Sequence, residues 1–257
     1  MNLYRESTGA GPILVLLHGW GMNLRVFDAL REVLDDEVQV IAIDLPGHGA
    51  SPWDNTRASF TAQVEWLVDS LPQRCSLLGW SLGGQFALEL ARRVPERLHR
   101  LVLVATTPRF TATSDWPAGM SAAVFADFAA RLQRDWRHTV ADFLQLQVRG
   151  SRDAMASLRQ LEAALLAHGQ ADPAALAADL TLLETLDQRG QLAGIATPTL
   201  VIAGQHDRIT LPAAGEYIAA HMPEASLTTV PRAAHAPFLS HTAEFATLVR
   251  GFLQVAA

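Results

Sequence analysis

Short apolar runs alternate with helical patterns along most of this chain, which leaves few folds open to it. The apolar runs cover residues 13–17, 38–43, 75–79, 100–105, 199–203 and 226–230. Helical periodicity covers residues 24–35, 61–71, 82–93, 212–222 and 242–254. Strands that are apolar throughout are buried on both faces, which is typical of a parallel sheet with helical connections. The sequence therefore predicts an α/β fold in which helices flank a mostly parallel sheet.

The alternation stops between residues 108 and 194, where alanine-rich helical segments follow one another without a convincing strand. Helices are predicted there at 119–134, 137–148, 152–168 and 174–187. We therefore predict a core domain formed by residues 1–107 and 195–257, with a helical insertion at 108–194. Open α/β sheets bind ligands at the carboxyl ends of their strands, and the insertion leaves the sheet at that edge. It is predicted to be a lid over the site.

Composition excludes several classes of partner. The chain has 257 residues and a formal net charge of −6, without a basic run, so a nucleic-acid partner is not expected. The first residues lack a secretory signal pattern, and no run of about 18 apolar residues predicts a membrane-spanning helix. The single cysteine, Cys75, cannot form an internal disulfide. We expect a monomeric cytoplasmic protein with no membrane partner.

The segment Gly79-Trp80-Ser81-Leu82-Gly83 has the pattern G-x-S-x-G between a predicted strand and a predicted helix. Glycines on both sides of the serine allow a tight, strained turn that exposes the hydroxyl at the sheet edge. The alternative interpretation is an ordinary glycine-rich connection. The agreement of strand, motif and helix favours Ser81 as a nucleophile.

A serine nucleophile needs a histidine base and a carboxylate that orients the base. In this architecture the acid and then the histidine follow the serine, each after a strand. Asp207 and His235 fit that order and those positions. Asp44 is the rival acid, but it precedes the serine, so it is expected to shape the PGHG turn that follows it. The sequence predicts a catalytic triad of Ser81, Asp207 and His235.

The oxyanion that forms during acyl transfer needs two hydrogen-bond donors already in place. One is expected to be the backbone N–H of Leu82, directly after the nucleophile. The other is expected from the HGWG loop at residues 18–21, through the N–H of Trp20, although HGWG alone also fits a simple turn. No metal-binding spacing or nucleotide-binding glycine motif is present, so no metal and no cofactor are predicted.

From LVLLHGWG through DLPGHGAS and LLGWSLGG to the last helix, the chain resembles the α/β-hydrolase superfamily. Within it, HGWGMN, LLGWSLGGQ, VATTPRFTA with DWP, TVADFLQLQ and AAHAPFLSHTAEF resemble the pimeloyl-acyl-carrier-protein methyl ester esterases of biotin synthesis. This resemblance implies hydrolysis of a carrier-bound methyl ester with release of methanol. It also implies a substrate site formed by Trp20, Ser81, Leu82, Phe143, Leu144, Gln145, Leu146, Gln147 and His235, although Phe143 also fits packing of the lid on the core.

The resemblance further implies that arginines of the insertion receive an acidic acyl-carrier protein. Residues 131–159 contain six arginines against three aspartates, which is a positive segment on an acidic chain. Arg149, Arg152 and Arg159 are the docking candidates, and a solvated helix face is the alternative.

Three other functions stay open at this point. One is a broad short-chain carboxylesterase without a carrier partner. Another is an aminopeptidase or carbon-carbon bond hydrolase of the same fold, since fold does not decide the reaction. The third is a non-catalytic homologue that binds a ligand.

Overall fold

The protein is described by a computed structural model that covers residues 2–34 and 36–254, apart from the side chains of residues 136, 137 and 254. Seven strands of the described chain form one sheet in the order β1-β3-β2-β4-β5-β6-β7. They are β1 (Arg5–Thr8), β2 (Ile13–Leu17), β3 (Gln39–Ile43), β4 (Cys75–Trp80), β5 (Leu98–Val104), β6 (Thr199–Gly204) and β7 (Ala225–Val230). All neighbouring pairs are parallel except β1 with β3. The predicted α/β fold with a mostly parallel sheet is confirmed.

Helices connect these strands and cover both faces of the sheet. They are α1 (Asp28–Leu34), α2 (Phe60–Ser70), α3 (Leu82–Arg93), α4 (Ala122–Arg134), α5 (Trp136–Val148), α6 (Ala154–Ala167), α7 (Pro173–Thr185), α8 (Pro212–His221), α9 (Pro237–Ser240) and α10 (Thr242–Gln254). Four of them, α4 to α7, lie between β5 and β6, where the insertion was predicted. The core and lid boundaries at residues 107 and 195 stay predictions. No described helix is both long enough and apolar enough to cross a lipid bilayer.

Two elements were not predicted. Strand β1 has no apolar run, and its residues alternate between exposed and half-buried positions at the edge of the sheet. Its strand conformation comes from antiparallel pairing with β3, in which Arg5 lies opposite Ile43. The short helix α9 is the other, because its four residues are too few to show a helical periodicity. Both depend on tertiary contacts more than on local preference.

Burial on both faces fixes the central strands. In β2, Val15 and Leu17 pack into the apolar cluster on one face of the sheet, while Leu14 and Leu16 pack into the cluster on the other. All four side chains are fully buried. Because the side chains of a strand alternate between faces, two-sided burial holds the strand in one register. Strands β4 and β6 are buried in the same way, so the carboxyl ends of β2, β4 and β6 are rigid supports for the loops that follow them.

The helix α7 attaches the insertion to the loops after β2 and β3. The N–H of Asp172 donates to the carbonyl of Gly47 at 2.7 Å, and the indole N–H of Trp20 donates to the carbonyl of Leu176 at 3.1 Å. Further along the same helix, Asp179 is fully buried and accepts a hydrogen bond from Gln63 Nε2 at 3.0 Å. Burial raises the pKa of Asp179 to about 7, because a charged carboxylate is poorly solvated there.

The substitution Asp179→Asn tests the cost of this burial. As pH rises from about 4 toward 7, the unfolded chain releases a proton that the folded chain keeps, so wild-type stability falls by at most about 1.4 kcal/mol per pH unit. Asparagine does not titrate. In urea unfolding we expect the variant to gain stability relative to wild type as pH rises through this window. Asp172→Asn, at the exposed start of α7, is the matched control, and a stability difference independent of pH would contradict the prediction.

Candidate active site

Ser81 lies at a strained turn between β4 and α3. Its backbone has φ 56° and ψ −119°, in a region that residues with a side chain rarely adopt. The Ser81 N–H donates to the carbonyl of Val104 at 3.0 Å, and Thr106 Oγ1 donates to the Ser81 carbonyl at 2.7 Å. Neighbouring strand β5 and the loop after it therefore hold the strained conformation in place.

The glycines of the motif allow strand and helix to cross at close range. A Cβ atom on Gly79 would lie 2.4 Å from the carbonyl oxygen of Gly83, and one on Gly83 would lie 2.3 Å from the carbonyl oxygen of Leu17. Both obstructing atoms belong to the backbone, which has little freedom to move. The pattern G-x-S-x-G is thus required by close packing at this turn.

Asp207 and His235 come together through a direct hydrogen bond. His235 Nδ1 lies 2.8 Å from Asp207 Oδ2, and both side chains are buried. The other carboxylate oxygen, Oδ1, accepts from the N–H groups of Ile209 and Thr210 at 2.8 and 3.1 Å. Thr210 Oγ1 donates to Oδ2 at 2.8 Å. These donors orient the carboxylate toward Nδ1, which makes Nε2 the proton acceptor of a neutral imidazole.

His235 Nε2 is buried and has no hydrogen-bond partner among the described residues, so it makes no hydrogen bond to Ser81 Oγ. The imidazole nevertheless lies next to the serine turn, since its ring centroid is 5.6 Å from the indole of Trp80. In enzymes without substrate, the hydrogen bond between nucleophile and base is often long and forms when substrate binds. The acid and base are therefore paired, and the assignment of Ser81 as their partner stays a prediction.

The two predicted oxyanion donors come from segments that adjoin Ser81. Leu82 is the first residue of α3, so its N–H has no carbonyl partner within the helix. The HGWG loop passes directly over the serine, because a Cβ atom on Gly19 would lie 3.2 Å from Ser81 Cβ. Trp20 follows in that loop. The arrangement suits an oxyanion hole, and the roles of these two N–H groups stay predictions.

Two buried histidines hold the HGWG loop. His18 Nδ1 donates to the carbonyl of Gly19 at 2.8 Å, and its Nε2 accepts from the N–H of Leu45 at 3.0 Å. His48 Nε2 accepts from the N–H of Gly21 at 3.2 Å. Burial lowers the pKa of His48 to about 4 and that of His18 well below its usual value, so both stay neutral. Sequence reasoning assigned them only to turns.

The carboxylate of Asp44 shapes the PGHG turn, as predicted. Its Oδ2 accepts from the N–H of Ala50 at 2.9 Å, and its Oδ1 accepts from the N–H of Leu24 at 2.8 Å. His168 of the insertion adds a contact to Oδ2 at 2.9 Å. This carboxylate therefore serves the loop structure and the attachment of the insertion.

An almost wholly apolar pocket ends at Ser81. Its walls are Trp20, Phe110, Met120, Val124, Phe125, Phe128, Arg131, Phe143, Leu146, Leu180, Leu183 and Ile209. Of the predicted substrate-binding residues in α5, Phe143 and Leu146 line this pocket, because a spacing of three places them on one helix face. Leu144 and Gln147 are buried outside it, and the side chains of Leu82 and His235 do not form its walls.

A wider, solvent-open depression, here called the outer groove, lies beside the pocket. It is lined by Arg131, Asp142, Gln145, Leu146, Val148, Arg149, Gly150, Ala154, Met155 and Leu158. Arg131 and Leu146 line both spaces, so the groove and the pocket adjoin. Arg131 also pairs with Asp127 and Asp142. The sequence did not identify Arg131 as a site residue, because only the fold shows which arginine lies at the pocket.

The three predicted docking arginines differ in their surroundings. Arg149 and Arg159 are exposed and have no ion-pair partner among the described residues. Arg152 is half-buried, with its Nη1 3.5 Å from Glu244 Oε1. The side chain of Arg137, another arginine of this segment, lies outside the described residues. Within the described part of the chain, no group of three or more acidic, histidine or cysteine side chains could hold a metal ion. The absence of a cofactor stays a prediction.

The substitution Gly79→Ala tests the close crossing at the serine turn. The added methyl group meets backbone atoms, so we expect about 1–3 kcal/mol of destabilisation in urea unfolding and a large loss of esterase activity. Gly251→Ala is the control, because a Cβ atom there meets nothing within 4 Å on the last helix. We expect that control to be neutral or up to about 1 kcal/mol more stable. Equal stability and activity in both variants would contradict the close-packing explanation.

Comparison with known sequences agrees with this architecture. A family model described as the alpha/beta hydrolase fold matches residues 12–242. A pimeloyl-acyl-carrier-protein methyl ester esterase of Nitrosomonas europaea is 43% identical over 244 residues, which is 95% of this chain and 96% of that protein. One of the same name from Xanthomonas axonopodis pv. citri is 42% identical, with 98% of each chain covered. The resemblance inferred from the motifs is confirmed.

Solved structures also match over nearly the whole length. A hydrolase from Pseudomonas aeruginosa has a TM-score of 0.83 at 30% identity, covering 98% of this chain and 94% of its own. An esterase from Exiguobacterium antarcticum has a TM-score of 0.87 and covers 98% of this chain and 96% of its own. Because the two chains are only 22% identical, this match supports the fold and no more. By sequence, fold and the crossing at the serine turn, this chain belongs to the α/β hydrolase family.

Proposed function

We propose that this protein is a serine carboxylesterase that hydrolyses the methyl ester of a pimeloyl chain carried on acyl-carrier protein, in biotin synthesis. The observation that carries the proposal is the junction of a narrow apolar pocket at Ser81 with an outer groove that contains arginines. A carrier-bound ester needs both an apolar space for its chain and a surface for its carrier. The names of relatives at 42–43% identity over nearly the full length support the same substrate.

In the proposed reaction, each of these side chains and backbone groups has one role. Ser81 Oγ attacks the ester carbonyl while His235 Nε2 takes its proton, and the N–H groups of Trp20 and Leu82 stabilise the oxyanion. His235 returns the proton to the departing methoxide, so methanol leaves and an acyl-enzyme remains. A water molecule, deprotonated by the same imidazole, then hydrolyses the acyl-enzyme to the free carboxylate. Asp207 stabilises the imidazolium in both steps.

The pocket suits a methylene chain that bears a small ester. Apolar side chains form nearly all of its wall, with Phe128 and Phe143 packed against the indole of Trp20 at centroid distances of 5.5 and 5.6 Å. A methyl ester adds little bulk beyond the carbonyl that Ser81 must reach. The product carboxylate is charged and poorly solvated in such a pocket, which favours its release.

Arginines outside the pocket support docking of an acidic carrier. Arg149 lines the outer groove, and Arg159 lies exposed on α6 close by in sequence. Both lack ion-pair partners among the described residues, so their charges are available to a partner. Arg152 is already engaged with Glu244, which makes it the weaker candidate of the three. We further propose that the protein acts in the cytoplasm, in keeping with its free, buried cysteine, and that it acts as a monomer.

The role of Ser81 is tested by Ser81→Ala. The variant keeps its Cβ atom and the packing of the turn, so we expect wild-type stability and a fall in ester hydrolysis of about a thousandfold or more. Covalent labelling by a fluorophosphonate should disappear with the activity. Thermal unfolding is the control for folding. If wild type is folded but unlabelled, the protein is a non-catalytic ligand-binding homologue instead.

The carrier partner is tested by comparing two substrates. We expect a much higher kcat/KM for the carrier-bound methyl ester than for dimethyl pimelate, and a preference that falls as salt rises. Arg149→Glu and Arg159→Glu should each reduce this preference by about tenfold without changing hydrolysis of the free diester. Arg74→Glu is the matched control, since that exposed arginine precedes β4 at the opposite edge of the sheet. Equal rates on both substrates would favour a broad short-chain carboxylesterase.

A further inference from the structure

We infer that Trp80 is a positioning residue that fixes the base His235 against the strand carrying the nucleophile. The inference rests on the proposed function, in which His235 is the base. Trp80 is the last residue of β4 and directly precedes Ser81. Its indole N–H donates to the backbone carbonyl of His235 at 2.8 Å. One side chain therefore joins the two loops whose separation decides whether the proton can be transferred.

The indole also packs against the residues around the base. Its ring centroid lies 5.6 Å from the imidazole of His235 and 5.1 Å from the ring of Phe238, which it meets edge-on. Ala233 and Ala236, on either side of His235 in the loop, belong to the same apolar cluster as Trp80. Because Trp80 is only 1% exposed, neither the hydrogen bond nor the ring contacts compete with solvent.

The other polar groups of His235 are held as well. Its N–H donates to the carbonyl of Gln147 at 2.9 Å, at the end of α5. Its Nδ1 is bound to Asp207 at 2.8 Å. With the carbonyl bound to Trp80, three of the four polar groups of His235 are occupied, and Nε2 alone is without a partner among the described residues. The free atom is the one that must accept the serine proton.

Loss of the indole N–H would leave a buried carbonyl unpaired. The backbone at residue 235 would then rotate toward another donor, and the imidazole would move with it. A shift of about 1 Å in a catalytic group is enough to cost about a hundredfold in rate. The pocket walls would be untouched, since Trp80 does not line the pocket. The expected signature is a loss of kcat with little change in KM.

The test uses Trp80→Phe and a second variant with β-(3-benzothienyl)alanine at position 80, which keeps the ring volume and replaces the N–H by sulfur. We expect both to lower kcat by about tenfold to a hundredfold, to change KM by less than about twofold, and to slow fluorophosphonate labelling in parallel with kcat. Trp116→Phe is the matched control. That indole is also buried and donates to a backbone carbonyl, that of Arg109, at 2.9 Å, but its ring packs against Tyr217.

A benzothienyl variant with the kcat and labelling rate of wild type would overturn the inference. An equal loss of kcat in the Trp80→Phe and Trp116→Phe variants would also overturn it. Thermal unfolding of each variant shows whether the Trp80→Phe protein is folded, and the benzothienyl variant decides the question if it is not. Ser81→Ala is measured in the same assay. If it is inactive while the Trp80 variants are unaffected, the inference fails and the proposed function stands; if it is active, the proposed function itself fails.

Discussion

The strained turn at Ser81 is the constraint on which the rest of the site depends. A left-handed backbone at a residue with a side chain is unfavourable, and it persists here because β4 and α3 approach within backbone contact through Gly79 and Gly83. Strand β5 accepts a hydrogen bond from the Ser81 N–H, and Thr106, in the loop after β5, donates one to the Ser81 carbonyl. The packing of the core therefore holds the hydroxyl at the sheet edge.

Two neutral histidines, His18 and His48, hold the HGWG loop above Ser81 in place. His18 and His48 each use one ring nitrogen as donor and the other as acceptor, which is possible only for the uncharged form. Burial keeps them in that form across the neutral range. A charged imidazole would lose its acceptor and release the N–H of Leu45 or Gly21. Burial thus serves the geometry of the candidate oxyanion hole as well as the stability of the fold.

The helices of the insertion contact the loops that carry Trp20 and His235 directly. Helix α7 accepts the indole N–H of Trp20, and helix α5 accepts the backbone N–H of His235 through Gln147. The same α5 supplies Phe143 and Leu146 to the pocket. The walls of the pocket and the backbone of His235, the proposed base, therefore share contacts with one helix. This link offers a physical route by which a chain that fills the pocket well would also align the imidazole.

Local pattern was enough to predict six of the seven strands in the described sheet, their helical connections and the residues at strand ends. Buried strands and G-x-S-x-G leave a signal within a few neighbouring residues. Asp207 and His235 could be chosen by chain order for the same reason. Strand β1, the contact between Trp80 and the carbonyl of His235, and the place of Arg131 at the pocket were decided only by the tertiary structure. Each of these features depends on contacts between residues that are far apart in the chain, such as Trp80 and His235. Local periodicity reports only on near neighbours, so it cannot reveal such contacts.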